Sequence, residues 1–333
     1  MNAAFTERTA IEQGFAPVFR ERLAPRLEAL RRERVAQSGM TWFLIAMILG
    51  GHVALLAFLY FMHFADEGFV IVMLFTAGIS IFELVRRRSG AFGQRLVEIV
   101  MPEIGRFLGE IHYDRAGPGE AFVKPFEDLK LVGSANEKTV EHHIRGTHHG
   151  VGFELVQADL VNRRRGSKNG PETVFKGLLV RIQVPVVPPS GILIARDRGR
   201  LINTLLEWFS IGRRKSAHRI PMRDAEFERR FAVYCADPDT ARRFVTPGFK
   251  SAMVTIDDEI GGRSFLQTIF PGSRTSLAAA FEGDTFYMAI TRSRRLLDTR
   301  TLLRSDVSIE DEIHAIFADL TLLHRIIDKL REG

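Results

Sequence analysis

Four histidines fall within the nine residues Glu141-His-His-Ile-Arg-Gly-Thr-His-His149, the densest concentration of potential metal ligands in the chain. Neutral imidazole nitrogens bind first-row transition ions, so a transition-metal site is the first chemistry to test against this stretch. The flanking residues read as two strands joined by a turn, and adjacent side chains on a strand point to opposite faces. At most two or three of His142, His143, His148 and His149 can then converge. No cysteine and no convincing carboxylate stand beside them to complete a shell. The stretch therefore reads as an exposed polar hairpin, and no metal is assigned to it.

Other candidate chemistry is thinner. Asp257-Asp-Glu259 followed by Gly261-Gly262 suggests a divalent-cation loop, but the spacing fits no calcium loop and a solvated turn is expected. Cys235, the single cysteine, sits among apolar strand residues as a small core side chain, with no histidine nearby in sequence to activate it. Gly166-Ser-Lys-Asn-Gly170 is glycine-rich but lacks the Gly-Lys-Ser/Thr ending of a phosphate loop, and with Arg163 to Arg165 it reads as a basic hairpin tip. The sequence nominates no catalytic residue, no cofactor ligand and no metal ligand, and an enzyme is not the favoured class.

A different signal is much stronger. From Met40 to Ala65 the chain contains no Asp, Glu, Lys or Arg. As a helix this run spans roughly 35–40 Å, more than a hydrocarbon core of about 30 Å. Trp42 and Tyr60 stand near its ends, at the depth aromatic rings prefer. Asp66, Glu67 and Gly68 then form a polar turn, and a second apolar run, Phe69–Val85, carries one charge, Glu83. The expectation is a two-helix transmembrane hairpin over residues 40–85, with helices at about 41–65 and 69–85. Arg31, Arg32 and Arg34 precede it and Arg86 to Arg88 follow it, so the positive-inside rule puts both ends in the cytoplasm of an inner membrane. A lone free thiol suits that reducing side. Seven arginines and five glutamates precede the first apolar run, so no secretory leader is expected.

Within the hairpin, Gly50, Gly51 and His52 match Thr76, Gly78 and Ser80 in depth, a pattern that allows close helix approach and hydrogen bonds across the gap. An intramembrane histidine is a functional hypothesis by default. With no second titratable group for a proton path, His52 reads instead as a neutral imidazole bonded to Thr76, Ser80 or a backbone carbonyl. His63 lies at the far interface.

The rest must position whatever these elements do. Residues 1–39 carry Phe15, Phe19, Leu23, Leu27 and Leu30 at helical spacing, with Pro17 and Pro25 implying a kink. Residues 86–114 carry a comparable stripe, Phe92, Leu96, Ile99, Val100 and Phe107, with Met101-Pro102 a second candidate kink. The two stretches are expected to pair, the alternative being that one lies flat on the headgroups, apolar side down. From about Ala121 the signals turn strand-like. Residues 120–333 form an expected cytoplasmic α+β domain with a mainly antiparallel sheet and a closing helix at about Ser308 to Arg331. Expected strands include Thr139–Arg145, Val151–Val161, Thr173–Val184, Gly191–Arg196, Phe231–Cys235, Leu277–Phe281 and Thr285–Ile290. Period-two spacing in Val174, Leu178, Val180, Ile182 and Val184 implies one buried sheet face. Asp239 to Val245 reads as a short helix capped by Asp237 or Asp239.

Four of these segments carry a resemblance. Phe227-Glu-Arg-Arg-Phe-Ala-Val-Tyr-Cys-Ala-Asp-Pro-Asp-Thr-Ala-Arg-Arg-Phe-Val-Thr-Pro247 resembles a hallmark of the bacterial membrane family known as domain of unknown function 3137 (DUF3137). Val174-Phe-Lys-Gly-Leu-Leu resembles its F-x-G-L segment. Phe286-Tyr-Met-Ala-Ile290 with Leu296-Leu-Asp298, and Asp319 to Asp328, resemble its strand-and-loop and its final helix. With the hairpin layout, the resemblance extends over nearly the whole chain. It implies no activity and carries over no catalytic residue.

The net charge of +6 comes largely from arginine doublets and triplets. Arg163 to Arg165, Arg213 to Lys215, Arg242-Arg243 and Arg294-Arg295 are candidates for a shared surface facing the inner leaflet, where each basic residue near anionic lipid adds about 1 kcal/mol. Ordinary solvated arginine is the favoured reading. Expected partners are the lipid bilayer, anionic headgroups or a protein, and not nucleic acid. The favoured class is a membrane-anchored binding or scaffold module. An enzyme acting on a membrane-associated substrate and a small transporter or channel subunit using His52 are the alternatives.

Overall fold

The alternation in Thr173–Val184 is realised as a strand, Glu172–Gln183, near the middle of a nine-stranded sheet in which every pairing is antiparallel. A computed structural model describes residues 5–61, 67–109, 111–163, 170–196, 217–262, 277–291 and 309–331. These fall into two units: Met1–Phe107 with Leu297–Ala315, which is helical, and Leu108–Leu296 with Ile316–Gly333, which holds the sheet.

In the sheet unit the strands are β1 (Ile111–Asp114), β2 (Glu137–His148), β3 (Val151–Asn162), β4 (Glu172–Gln183), β5 (Ile192–Arg196), β6 (His218–Ile220), β7 (Phe231–Cys235), β8 (Leu277–Glu282) and β9 (Thr285–Thr291), in the order 1-2-3-4-9-8-5-7-6. One face gathers Val156, Leu160, Leu179, Ala280 and Ala289 under Phe122 and Phe126 of a short helical segment. On the other, Phe281 and Phe286 pack against Phe249, with ring centroids 5.8 and 5.6 Å away. Covering both faces buries Gly177 through Val180 without a break. The single buried face expected from the spacing of β4 is therefore corrected to two. An apolar run of this kind is what a strand covered on both sides requires. Gly177 also allows close backbone approach to β9, since a Cβ there would lie 1.9 Å from the Ile290 carbonyl oxygen.

Three local expectations need adjustment. Residues 120–128, expected to be strand-like, form a 3-10 turn and the helix α4 (Lys124–Asp128). The short strands β1 and β6 carry too few residues for a periodic signal. Asp257, Asp258 and the Gly261-Gly262 pair are not a solvated turn: they lie on the helix α7 (Pro247–Gly262). Asp257 is buried and pairs with Arg196 and Arg230, which removes it from solvent and from any cation loop. Before α7 come α5 (Ala225–Glu228), capped by Asp224, and α6 (Pro238–Phe244), capped by Asp237.

The helical unit begins with α1 (Phe15–Val18), passes through a π turn at Phe19–Leu23 and continues as α2 (Ala24–Phe61). The wide turn lies between Pro17 and Pro25, and the helical backbone continues through it. A second long helix, α3 (Glu67–Leu108), accommodates Pro102 without a break. The two amphipathic stretches do pair: Phe15 meets Phe107 edge-on at 5.1 Å, and Leu23, Leu27, Val100 and Ile104 are buried. Glu103 is only 1 % exposed and is answered by Arg106, Arg26 and Arg22 at 2.8, 3.3 and 3.5 Å. The closing helix α8 (Ile309–Arg331) contributes its first residues here. His314 lies 2.8 Å from buried Glu12 and stacks on Phe5 at 4.6 Å. Burial alone would raise the Glu12 pKa. Hydrogen bonds from His314 and from the backbone N–H groups of Arg8 and Thr9 outweigh it and hold the carboxylate below its ordinary value.

Among the described residues, no helix is long and apolar enough to cross a membrane. The spanning hairpin expected from the sequence is thus not a feature of the described fold. Residues 62–66, with His63 and Asp66 of the expected turn, lie outside the described residues. What the fold does show is helix pairing around His52. Its Nδ1 is 2.8 Å from the Ile48 carbonyl oxygen, so Nδ1 carries the proton and donates. Nε2 faces the Thr76 hydroxyl at 3.5 Å, and Ser80 Oγ donates to the Thr76 carbonyl at 2.8 Å.

Candidate functional site

The histidine-rich stretch is separated by its own backbone into three environments. A bulge in β2 between Glu141 and Ile144 sets His142 and His143 opposite a single β3 residue, and His142 takes the left-handed conformation, φ 56°. His142 Nδ1 lies 2.8 Å from the Tyr113 hydroxyl. His143 is buried beside Phe122, with Nε2 3.3 Å from Glu154. At the tip, β2 and β3 are joined by the two-residue turn His149-Gly150, with φ 50° and 79°. Positive φ at both positions is the type I′ geometry whose twist suits a hairpin. It frees His149 from strand alternation and lets its ring approach that of His148, with centroids 4.2 Å apart.

The helix α8 supplies what the sequence reading lacked. His324 and Asp328 are one turn apart and share a helix face. The His324 ring stacks on His148 at 3.9 Å and 6°, and Phe153 meets it from the sheet at 6.2 Å. Asp328 Oδ1 lies 3.0 Å from His148 Nε2 and 3.7 Å from His149 Nε2. Burial, and then the adjacent His148, push His324 down to about 4. Burial also lowers His148, against the opposing pull of Asp328. His324 is therefore neutral near pH 7, and the downward shift of His148 is in the direction of the neutral imidazole. His148, His149 and Asp328 form a group that could hold a metal ion.

A second polar feature lies on the opposite sheet face, where β1 to β4 and β9 line a groove of about 560 Å³ that includes His112, Arg145, Glu154, Arg181 and Tyr287. Arg181 is fixed from several sides. Its guanidinium lies 3.9 Å above the Phe122 ring, donates to the Phe122 carbonyl at 2.7 Å, and is 3.8 Å from Glu154. Burial lowers the Arg181 pKa from its ordinary value, with Tyr287 and Glu154 opposing the shift. Nothing in the local sequence marks Arg181 or Glu154; only the strand register brings them together, as directly paired residues of β3 and β4.

The other nominated residues take structural positions. Cys235 is buried in β7, with Sγ 3.2 Å from Ser190 Oγ. Arg163 pairs with Glu137 at 2.9 Å and Arg242 with Asp239 at 3.4 Å. Arg164, Arg165, Gly166 to Asn169, Arg213 to Lys215, Arg294-Arg295 and Leu296 to Asp298 lie outside the described residues.

Residues 173–332 match the model of the family described as "Protein of unknown function (DUF3137)". The chain carries a DUF3137 domain. The match takes in all four segments that carry the resemblance, and it begins in β4, so the hairpin layout lies before it. No curated protein matches the chain. Among solved structures, the mycobacterial trehalose monomycolate transport factor A, TtfA, aligns over 70 % of this chain and 95 % of its own, at 12 % identity and a TM-score of 0.31. A likeness that weak says nothing about what the DUF3137 domain binds.

Proposed function

We propose that this protein is a membrane-anchored binding module, in which α2 and α3 lie in a lipid bilayer and the DUF3137-containing sheet unit holds a polar partner. The observation that carries the reading is the surface of those two helices. Phe43, Val53, Ile71 and Phe75 are 59, 64, 67 and 68 % exposed, alongside Met47, Leu49, Leu55, Phe58, Phe61, Val70, Val72, Leu74 and Ile79. Elsewhere among the described residues, the exposed large hydrophobics are Val186 and Val187. Soluble monomers rarely leave apolar patches beyond a few hundred Å² in water. Hydrocarbon is the solvent that such a surface matches, and the charge-free run from Met40 to Ala65 fits it in composition.

The arginines before and after the apolar runs favour an inner-membrane location with both ends in the cytoplasm. The same arginines suit anionic headgroups, and the groove around Arg181 and Glu154 suits a polar group of a lipid or protein partner. Its charges already answer each other, an arrangement better fitted to holding a ligand than to moving protons. Alkaline carbonate washing of membranes from cells expressing the full chain tests the anchor. The protein should stay with the membrane pellet and be released only by detergent. Recovery in the carbonate supernatant would overturn the reading.

A further inference from the structure

We propose that His148, His149 and Asp328 bind one zinc-class divalent ion that ties the β2–β3 turn to the helix α8. Three independent features of the geometry support this. First, the donor atoms already stand at coordination spacing. Ligands about 2.0–2.1 Å from a tetrahedral ion are roughly 3.3 Å from one another. The two histidine-to-carboxylate separations, 3.0 and 3.7 Å, bracket that edge, and all three donor atoms lie within 4.8 Å of one another. Second, the donor set is two imidazoles and a carboxylate, which suits zinc and its neighbours rather than calcium or magnesium. Third, the fold brings the ligands together. His148 is clamped by the parallel His324 ring, and His149 is aimed by the type I′ turn.

Binding needs little rearrangement. The ion takes the place of the proton between His148 Nε2 and Asp328, and His148 carries its proton on Nδ1 instead, so the imidazole stays neutral. His149 is exposed and its ring is free to close the remaining distance. Solvent reaches that side, which leaves a fourth position for water. His324 acts here as a positioning residue, through its stack on His148. The consequence is structural: residues 180 apart in sequence become directly linked through one ion.

The test uses the tag-free full chain in detergent, stripped with a chelator and titrated with Zn²⁺ against a chromophoric competitor. The wild type should take up one Zn²⁺ per chain. H149N keeps a residue that tolerates the left-handed turn, and D328N keeps the carboxylate's shape. Each should weaken binding by more than the roughly 10–100-fold that loss of a supporting outer-shell group costs. Circular dichroism of the metal-free variants should match the wild type. Equal Zn²⁺ affinity in the wild type and both variants would overturn the proposal, as would a wild type that binds no Zn²⁺ in competition.

Discussion

Phe249, Phe281 and Phe286 in the sheet unit are at most 1 % exposed, whereas Phe43, Phe58 and Phe75 on α2 and α3 are 59, 57 and 68 % exposed. The same side chain is packed inward in one unit and turned outward in the other. In water the outward arrangement is disfavoured by about 25 cal/mol for each Å² of apolar surface left uncovered. The contrast is not one of composition, since the lower part of the helical unit buries Phe5, Phe15 and Phe19 as thoroughly as the sheet buries its own core. It is confined to the distal stretches of two helices. On the proposed reading these stretches meet a solvent other than water, while their paired bases and the sheet unit are packed for water.

The comparison can be broken most forcefully from the sheet side. Phe281→Ala should cost about 3–5 kcal/mol, because it removes a ring packed against Phe249, Phe244 and Phe286. Phe75→Ala should stay within about 0.5 kcal/mol, as for surface substitutions generally. Thermal unfolding in detergent reads both, and equal losses would erase the distinction. Next in size is a charge on the outward face. Ile71→Asp should oppose insertion by about 2.5–3.5 kcal/mol, seen as a smaller membrane-bound fraction on fractionation. An unchanged fraction would mean that Ile71 does not face lipid.

Backbone contacts sharpen the picture of the sheet. Gly177→Ala should destabilise by about 1–3 kcal/mol, because the new methyl group meets the Ile290 carbonyl and forces β4 and β9 apart. Denaturant unfolding would show it as a lower midpoint. The smallest effect expected is at the cap of α6. Hydrogen bonds from the Thr240 hydroxyl and from the backbone N–H groups of Thr240 and Asp239 hold the Asp237 carboxyl below its ordinary value. A lowered folded pKa contributes stability above the unfolded pKa and loses it as pH falls through the folded one. Asp237→Ala should therefore lower the melting temperature at neutral pH, and the gap to wild type should close in acid. A gap that persists at low pH would show that the carboxylate is not the stabilising group.

Much of this architecture was legible in the residues. Runs such as Phe231–Cys235 and Thr285–Ile290 alternate or stay apolar for long enough to declare strands, and Asp237 before Pro238 declares a helix start. The pairing of Phe15 with Phe107 followed from two amphipathic stripes flanking the apolar runs. Other features depend on long-range contacts. The Asp257 pair read as a turn because the arginines that bury it, Arg196 and Arg230, come from elsewhere in the chain. Strand alternation disperses the histidine side chains over two faces, but it does not hold through His149. A left-handed residue at the turn cancels that rule locally. Its carboxylate partner is on a helix 180 residues away, where no local spacing could announce it.

Site-directed spin labelling of the reconstituted full chain tests directly whether the outward apolar surface of α2 and α3 faces lipid. One label enters through Phe75→Cys on α3 and a second, in a separate sample, through Val187→Cys, an exposed apolar position of the sheet unit. Cys235 is fully buried and stays in place. Power saturation compares collisions with oxygen, which concentrates in hydrocarbon, and with a water-soluble nickel chelate. Lipid contact at α3 gives a label at 75 that oxygen relaxes and nickel does not, and the reverse at 187. Nickel reaching position 75 as readily as position 187 would contradict it.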